Sequence, residues 1–130
     1  MANNEQIVAY FDELGIPHEQ IKPGMWMVKD AAGAVSNIAV QHDDPVLVLR
    51  VNVMTVPEGR ANEDIFRALL QLNVRDMVHG CYGIDGNDVV AVVTLLSETL
   101  DKEELQAAVD DLSLALTTHL PALARLIQES

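Results

Sequence analysis

The sequence predicts an α+β fold with antiparallel strand pairing, on three observations. Leu47, Leu49, Val51 and Val53 alternate with Arg50 and Asn52, the period of a half-buried strand. Ile7, Phe11 and Leu14 near the start, and Leu105, Val109 and Leu112 near the end, recur at spacings of three and four, the period of an amphipathic helix. The segments run helix, three strands, helix, two strands, helix, which is not the strand–helix alternation of a parallel sheet.

Each element has its own signals. Asn3 or Asn4 can cap the first helix and Gly15 can end it. Pro17 and Pro23-Gly24 then break the chain. Met25 to Lys29 is a short strand carrying the only tryptophan, Trp26. Asp30-Ala31-Ala32-Gly33 is a turn, and Val35 to Gln41 is a second strand with Ile38 and Val40 on one face. His42-Asp43-Asp44-Pro45 turns into the longest strand, Val46 to Val56, which Pro57-Glu58-Gly59 closes. Asn62 can cap a second helix that runs to about Asn73, with Glu63 and Asp64 where the helix dipole favours acids. Its apolar residues, Ile65, Phe66, Ala68, Leu69, Leu70 and Leu72, cover more than half the circumference. That predicts burial on two sides.

Met77 to Ile84 and Val89 to Leu96 are strands joined by a hairpin turn at Asp85-Gly86-Asn87. The second is apolar on both faces, as a central or doubly covered strand is. Asp101 and Glu104 form a capping-box-like pair, with Leu100 and Leu105 as the hydrophobic staple of the last helix. Leu105, Val109, Leu112, Leu116, Leu120, Leu123 and Ile127 trace its apolar stripe, and Pro121 predicts a kink or break near His119.

The 130 residues predict one domain, 1–130, able to bury roughly two-thirds of its unfolded surface. Acidic residues number 20 against 8 basic ones, for a net charge of -12. That charge repels phosphate backbones and anionic membranes, so neither nucleic acid nor membrane is an expected partner. One cysteine, Cys81, rules out an intramolecular disulfide and argues against a cysteine-based zinc site. The first residues lack a positive n-region, and no run of about 18 apolar residues occurs. A cytoplasmic protein is expected.

Candidate chemistry is sparse. His79 and Cys81 stand two apart in a predicted strand and share a face, but they lack a third, orienting group. A buried thiol beside a strand histidine is the simpler reading. His42, Asp43 and Asp44 are metal-ligating types, yet consecutive turn residues converge poorly on one ion, and a solvated turn accounts for them. Gly83 to Asp88 lacks the alternating acids and distal glutamate of a calcium loop. The pairs Asp43-Asp44, Glu103-Glu104 and Asp110-Asp111 read as solvated faces. No phosphate-cradling glycine loop, Gly-x-Ser-x-Gly or His-Glu-x-x-His motif is present. No catalytic residues, cofactor or metal are therefore expected. The excess is apolar: the second helix, and Leu114 and Leu126 off the last stripe. Core packing or a self-association surface would absorb it.

Leu69 to Val74 leads into the glycine-containing strand Val78-His79-Gly80-Cys81-Tyr82-Gly83-Ile84-Asp85, then into Val89-Val90-Ala91-Val92-Val93-Thr94-Leu95 and the capped helix Leu100-Asp101-Lys102-Glu103-Glu104-Leu105. This pattern resembles the YbjN family and the class I type III secretion chaperones of the Tir-chaperone type. The resemblance covers most of the chain, and its detail lies between about Leu69 and Leu112. It implies an α-β-β-β-α-β-β-α fold with a twisted antiparallel sheet. It also implies a small acidic cytosolic homodimer whose second helix contributes to the interface, with no catalytic residues.

The expected function is a non-enzymatic chaperone-like or adaptor protein, a homodimer acting on a client by apolar docking and strand addition at a sheet edge near Trp26. Expected dimer residues are Ile65, Phe66, Leu69 and Leu70, with Val89, Ala91 and Val93 from the sheet; expected client-binding residues are Trp26 and Met27. An ordinary core or edge aromatic is the competing reading of Trp26. The alternatives are a regulatory or stress-response domain that binds a signalling partner, and a small-molecule-binding protein.

Overall fold

The computed structural model describes residues 2–30, 37–59 and 61–129. The elements are α1 (Asn4–Leu14), β1 (His18–Lys22), β2 (Met25–Val28), β3 (Ile38–Asp43), β4 (Val46–Thr55), α2 (Ala61–Arg75), β5 (Gly80–Asp85), β6 (Asp88–Leu96), α3 (Lys102–Leu114), a π-helical segment (Ala115–His119) and α4 (Leu120–Glu129). The α+β class and the order of the expected elements hold. One strand is added: β1, between the two prolines at 17 and 23. Asn62 lies inside α2 rather than at its cap. Of the expected turn at 30–33, residues 31–33 lie outside the described residues, as do the first two residues of the expected strand at 35–41.

The caps of α1 and α3 are where the side chains predict them. Asn3 accepts the Gln6 backbone N–H at 2.9 Å, and Asp101 accepts that of Glu104 at 2.8 Å. Gly15 ends α1 in the left-handed region, φ 69°, which costs a glycine least.

All six strands form one antiparallel sheet in the order β1-β2-β3-β4-β6-β5. Register lines up Gln20, Trp26, Val40, Leu49, Val93 and Gly80 as one row across it. Paired strand residues share a face, and this face carries the core: Trp26, Val40, Leu49 and Val93 are buried. Gly80 ends the row because a Cβ there would stand 2.7 Å from Val93 and 2.8 Å from the Val92 carbonyl. The next row on the opposite face is Met27, Ala39, Arg50, Val92 and Cys81, half-buried up to the exposed Cys81.

α3 covers the core face, with Leu105, Ala108, Val109 and Leu112 fully buried. Each large apolar side chain so removed from water contributes about 1.5–3 kcal/mol. The helix does not break at Pro121. It passes through the π-helical turn just ahead of the proline, whose ring crowds the preceding turn and whose nitrogen cannot donate.

That turn sets His119 into the interior, 2% exposed. Its Nε2–H donates to Asp76 at 2.8 Å, and its Nδ1 accepts the Tyr82 hydroxyl at 2.5 Å. The chain ties the helical C-terminus to the end of α2 and to β5. Burial, then the carboxylates of Asp76 and Asp111, pushes the Tyr82 hydroxyl well above its ordinary range. The folded state thus holds this proton more tightly than the unfolded state. Its stabilising contribution is full below the unfolded tyrosine value of about 10 and is lost as pH rises past it. Denaturant titrations between about pH 8 and 11 should show stability falling above about pH 10. Tyr82→Phe should remove part of that fall, and equal slopes in the two proteins would refute the assignment. Leu112→Ala should lower unfolding free energy by about 2–5 kcal/mol.

Candidate protein-interaction surfaces

The two-sided apolar pattern of α2 has a structural counterpart. Ile65 and Leu69 point into the core at 0% and 4% exposure, whereas Phe66, Leu70 and Val74, spaced by four, face out at 37%, 67% and 87%. Val78, just past the helix, is 76% exposed as well. Asn62, Glu63, Arg67, Gln71 and Arg75 flank a shallow groove along the α2 stripe. The helix is acidic at its first turn and ends on Arg75.

Of the expected dimer residues, only Phe66 and Leu70 reach the surface. Ile65, Leu69, Val89, Ala91 and Val93 belong to the chain's own core. The reason is register: Val89, Ala91 and Val93 lie on the sheet face that α3 covers.

The two sheet edges are treated differently. On β5, Asn73 from α2 accepts the Tyr82 N–H at 2.6 Å and donates to the Tyr82 carbonyl at 3.3 Å. Asp111 from α3 accepts the N–H groups of His79 and Gly80 at 2.6 and 2.9 Å. Side chains thus occupy backbone groups that would otherwise pair with a further strand. Asp111 is buried, not the solvated partner of Asp110 that adjacency in the sequence suggests. Among the described residues, no side-chain bond of this kind is made to β1, whose Glu19, Gln20, Ile21 and Lys22 are exposed.

Trp26 lies on β2, one strand in from that edge, 1% exposed and packed edge-on against Phe11 at 5.8 Å. It packs as a core aromatic. Met27 is on the opposite face, half-buried, and lines a hollow with Asn37, Ala39 and Arg50. Arg50 is held across that face by Asp85 at 2.6 Å.

The candidate nucleophilic pair does not form a buried site. Cys81 is exposed, and His79 precedes β5 with its backbone N–H given to Asp111. Among the described residues no three His, Cys, Asp or Glu side chains could hold a metal ion, and no helix is long and apolar enough to cross a membrane.

The family model CesT_Tir_1, of type III secretion chaperones, matches residues 2–129. The chain belongs to this family. No curated protein sequence matches it. Its fold is shared with solved structures of low sequence identity. One is a chain of the heterodimeric ExoU–SpcU complex from the type III secretion system of Pseudomonas aeruginosa: 15% identity, TM-score 0.56, 94% of this chain and 98% of that one. Another is YbjN from E. coli: 13% identity, TM-score 0.65, 95% and 93%. A third is from the ExsC–ExsE complex: 18% identity, TM-score 0.51, 86% and 78%.

The blocked edge can be checked directly. Asn73→Ala should cost about 1–2 kcal/mol and speed hydrogen exchange at the Tyr82 amide. Unchanged exchange there would mean that Asn73 does not close β5.

Proposed function

We propose that this secretion-chaperone-family chain is a homodimer that holds a client protein and carries out no chemistry of its own. The observation that carries this reading is the exposed apolar stripe Phe66, Leu70 and Val74 along α2. A contiguous stripe of this kind on a small acidic protein is costly to leave in water and is typical of an interface. A two-fold axis across α2 would pair the stripe with itself and set Glu63 and Asp64 of one copy near Arg75 of the other.

The client reading rests on β1. It is the edge that no side chain among the described residues occupies, and an added strand supplies main-chain hydrogen bonds with little demand on sequence. ExoU–SpcU and ExsC–ExsE are both complexes of two proteins, which supports a protein as the partner. The net charge of -12 favours a basic segment and keeps the assembly dispersed. Met27 and the hollow beside it extend the contact to the open sheet face; Trp26 supports β2 from inside. A cytoplasmic location suits this role.

Native mass measurement should give a dimer at micromolar concentration. Leu70→Glu should convert it to a folded monomer with unchanged circular dichroism, whereas Leu69→Ala should lower fold stability by about 2–5 kcal/mol. A wild-type monomer would overturn the dimer. With a client bound, hydrogen exchange should slow at His18–Lys22 and not at Gly80–Asp85; protection confined to β5 would overturn the assignment of the edge.

A further inference from the structure

We propose that the cleft between the start of α1 and the β3–β4 turn binds a cationic side chain, an arginine or lysine of the client segment. Asn3, Asn4 and Glu5 form one wall of this 730 Å³ cleft, and His42, Asp43 and Asp44 the other. Among the described residues, the lining carries three carboxylates and no lysine or arginine. The partial positive charge at the start of α1 is offset by the Asn3 cap and by Glu5 in its first turn.

An acidic cluster alone would be a solvated turn. His42 makes the difference. It lies on the core face of β3, opposite Leu47, and its side chain is only 9% exposed. Its Nδ1 stands 2.6 Å from Asn4 Oδ1. A carboxamide oxygen only accepts, so Nδ1 donates to Asn4, and in the tautomer protonated at Nδ1 the Nε2 atom is an acceptor. Nε2 is buried and has no hydrogen-bond partner among the described residues. It faces Asp44 Oδ1 at 3.9 Å, and Asp44 is held in place by the Ser97 hydroxyl at 3.0 Å. Two acceptors facing each other in a part-buried site are unfavourable until a donor stands between them.

The chemistry of that donor follows from the lining. Among the described residues no three metal-ligating side chains converge, and the cleft is far larger than a bare ion needs. An ammonium brings three donors and a guanidinium five, enough to satisfy Nε2 and the carboxylates together. The Asp44 side chain beside Nε2 is 55% exposed. The occupant is tied to β1 by continuity. A second hollow shares Asn4 and Glu5 with this cleft and extends to Trp26 and to Gln20 of β1. A strand added at β1 can therefore send a flanking basic side chain past the start of α1. This last step rests on the reading of β1 as the client edge.

The full chain, labelled with ¹⁵N, is titrated with n-butylguanidinium chloride and, separately, with sodium chloride at matched ionic strength. Resonances of the His42 ring nitrogens and the Asn4 carboxamide should shift saturably with guanidinium and not with sodium. Asp44→Asn and, on the exposed side, Asp43→Asn should each weaken that binding about tenfold. Identical responses to the two salts, or a His42 ring that already carries protons on both nitrogens before titration, would overturn the cleft. Two peptides of alternating valine and threonine, differing only in a terminal arginine or glutamine, separate this site from the β1 reading. About tenfold tighter binding of the arginine peptide, with His42 responding to it alone, supports the cleft. Equal binding that shifts β1 amides and leaves His42 silent overturns the cleft and leaves β1 standing. Guanidinium saturation at His42, with neither peptide shifting β1, supports the cation site and overturns β1.

Discussion

Leu47, Leu49 and Val51 of β4 and Val89, Ala91 and Val93 of β6 pack beneath Leu105, Val109 and Leu112 of α3, all essentially withdrawn from water. This central pair under one helix dictates the remaining layout. Side chains alternate strictly along a strand, so burying one face of β4 and β6 sends Arg50, Asn52, Val92 and Thr94 to the other. The sheet grows outward from the pair to β3, β2 and β1 on one side and ends at β5 on the other. A sheet of this kind has two edges, here β1 and β5.

Polar anchors decide which edge stays open. Asn73, Asp111, Tyr82 and His119 join α2, α3 and the helical C-terminus to β5 through backbone and ring hydrogen bonds. Buried donors and acceptors are costly when unpaired, so these contacts must form together. In doing so they consume the backbone groups that β5 would present to another strand. The same anchors fix α2 with Ile65 and Leu69 inward, which leaves Phe66, Leu70 and Val74 outward. The closed edge and the apolar flank are thus two results of one packing arrangement.

Much of the fold was legible because its signals are local. The alternation of Val46 to Thr55, the caps at Asn3 and Asp101 and the left-handed Gly15 depend on residues within a few positions of each other. β1 was not legible: His18-Glu19-Gln20-Ile21-Lys22 has one aliphatic residue and no alternation, and it is a strand only because β2 pairs with it. Asp111 looked like half of a solvated acidic pair because its partners, the amides of His79 and Gly80, are about thirty positions away.

The chain alone determined that α2 has more apolar surface than one contact can cover, since composition and helical period are properties of the segment itself. It also determined the acidic net charge of -12. Which flank of α2 is free, which edge is open, and that His42 is turned under the start of α1 with its Nε2 facing Asp44 were decided only by tertiary structure. Each depends on where one element lies against another far away in sequence, and no local pattern carries that distance.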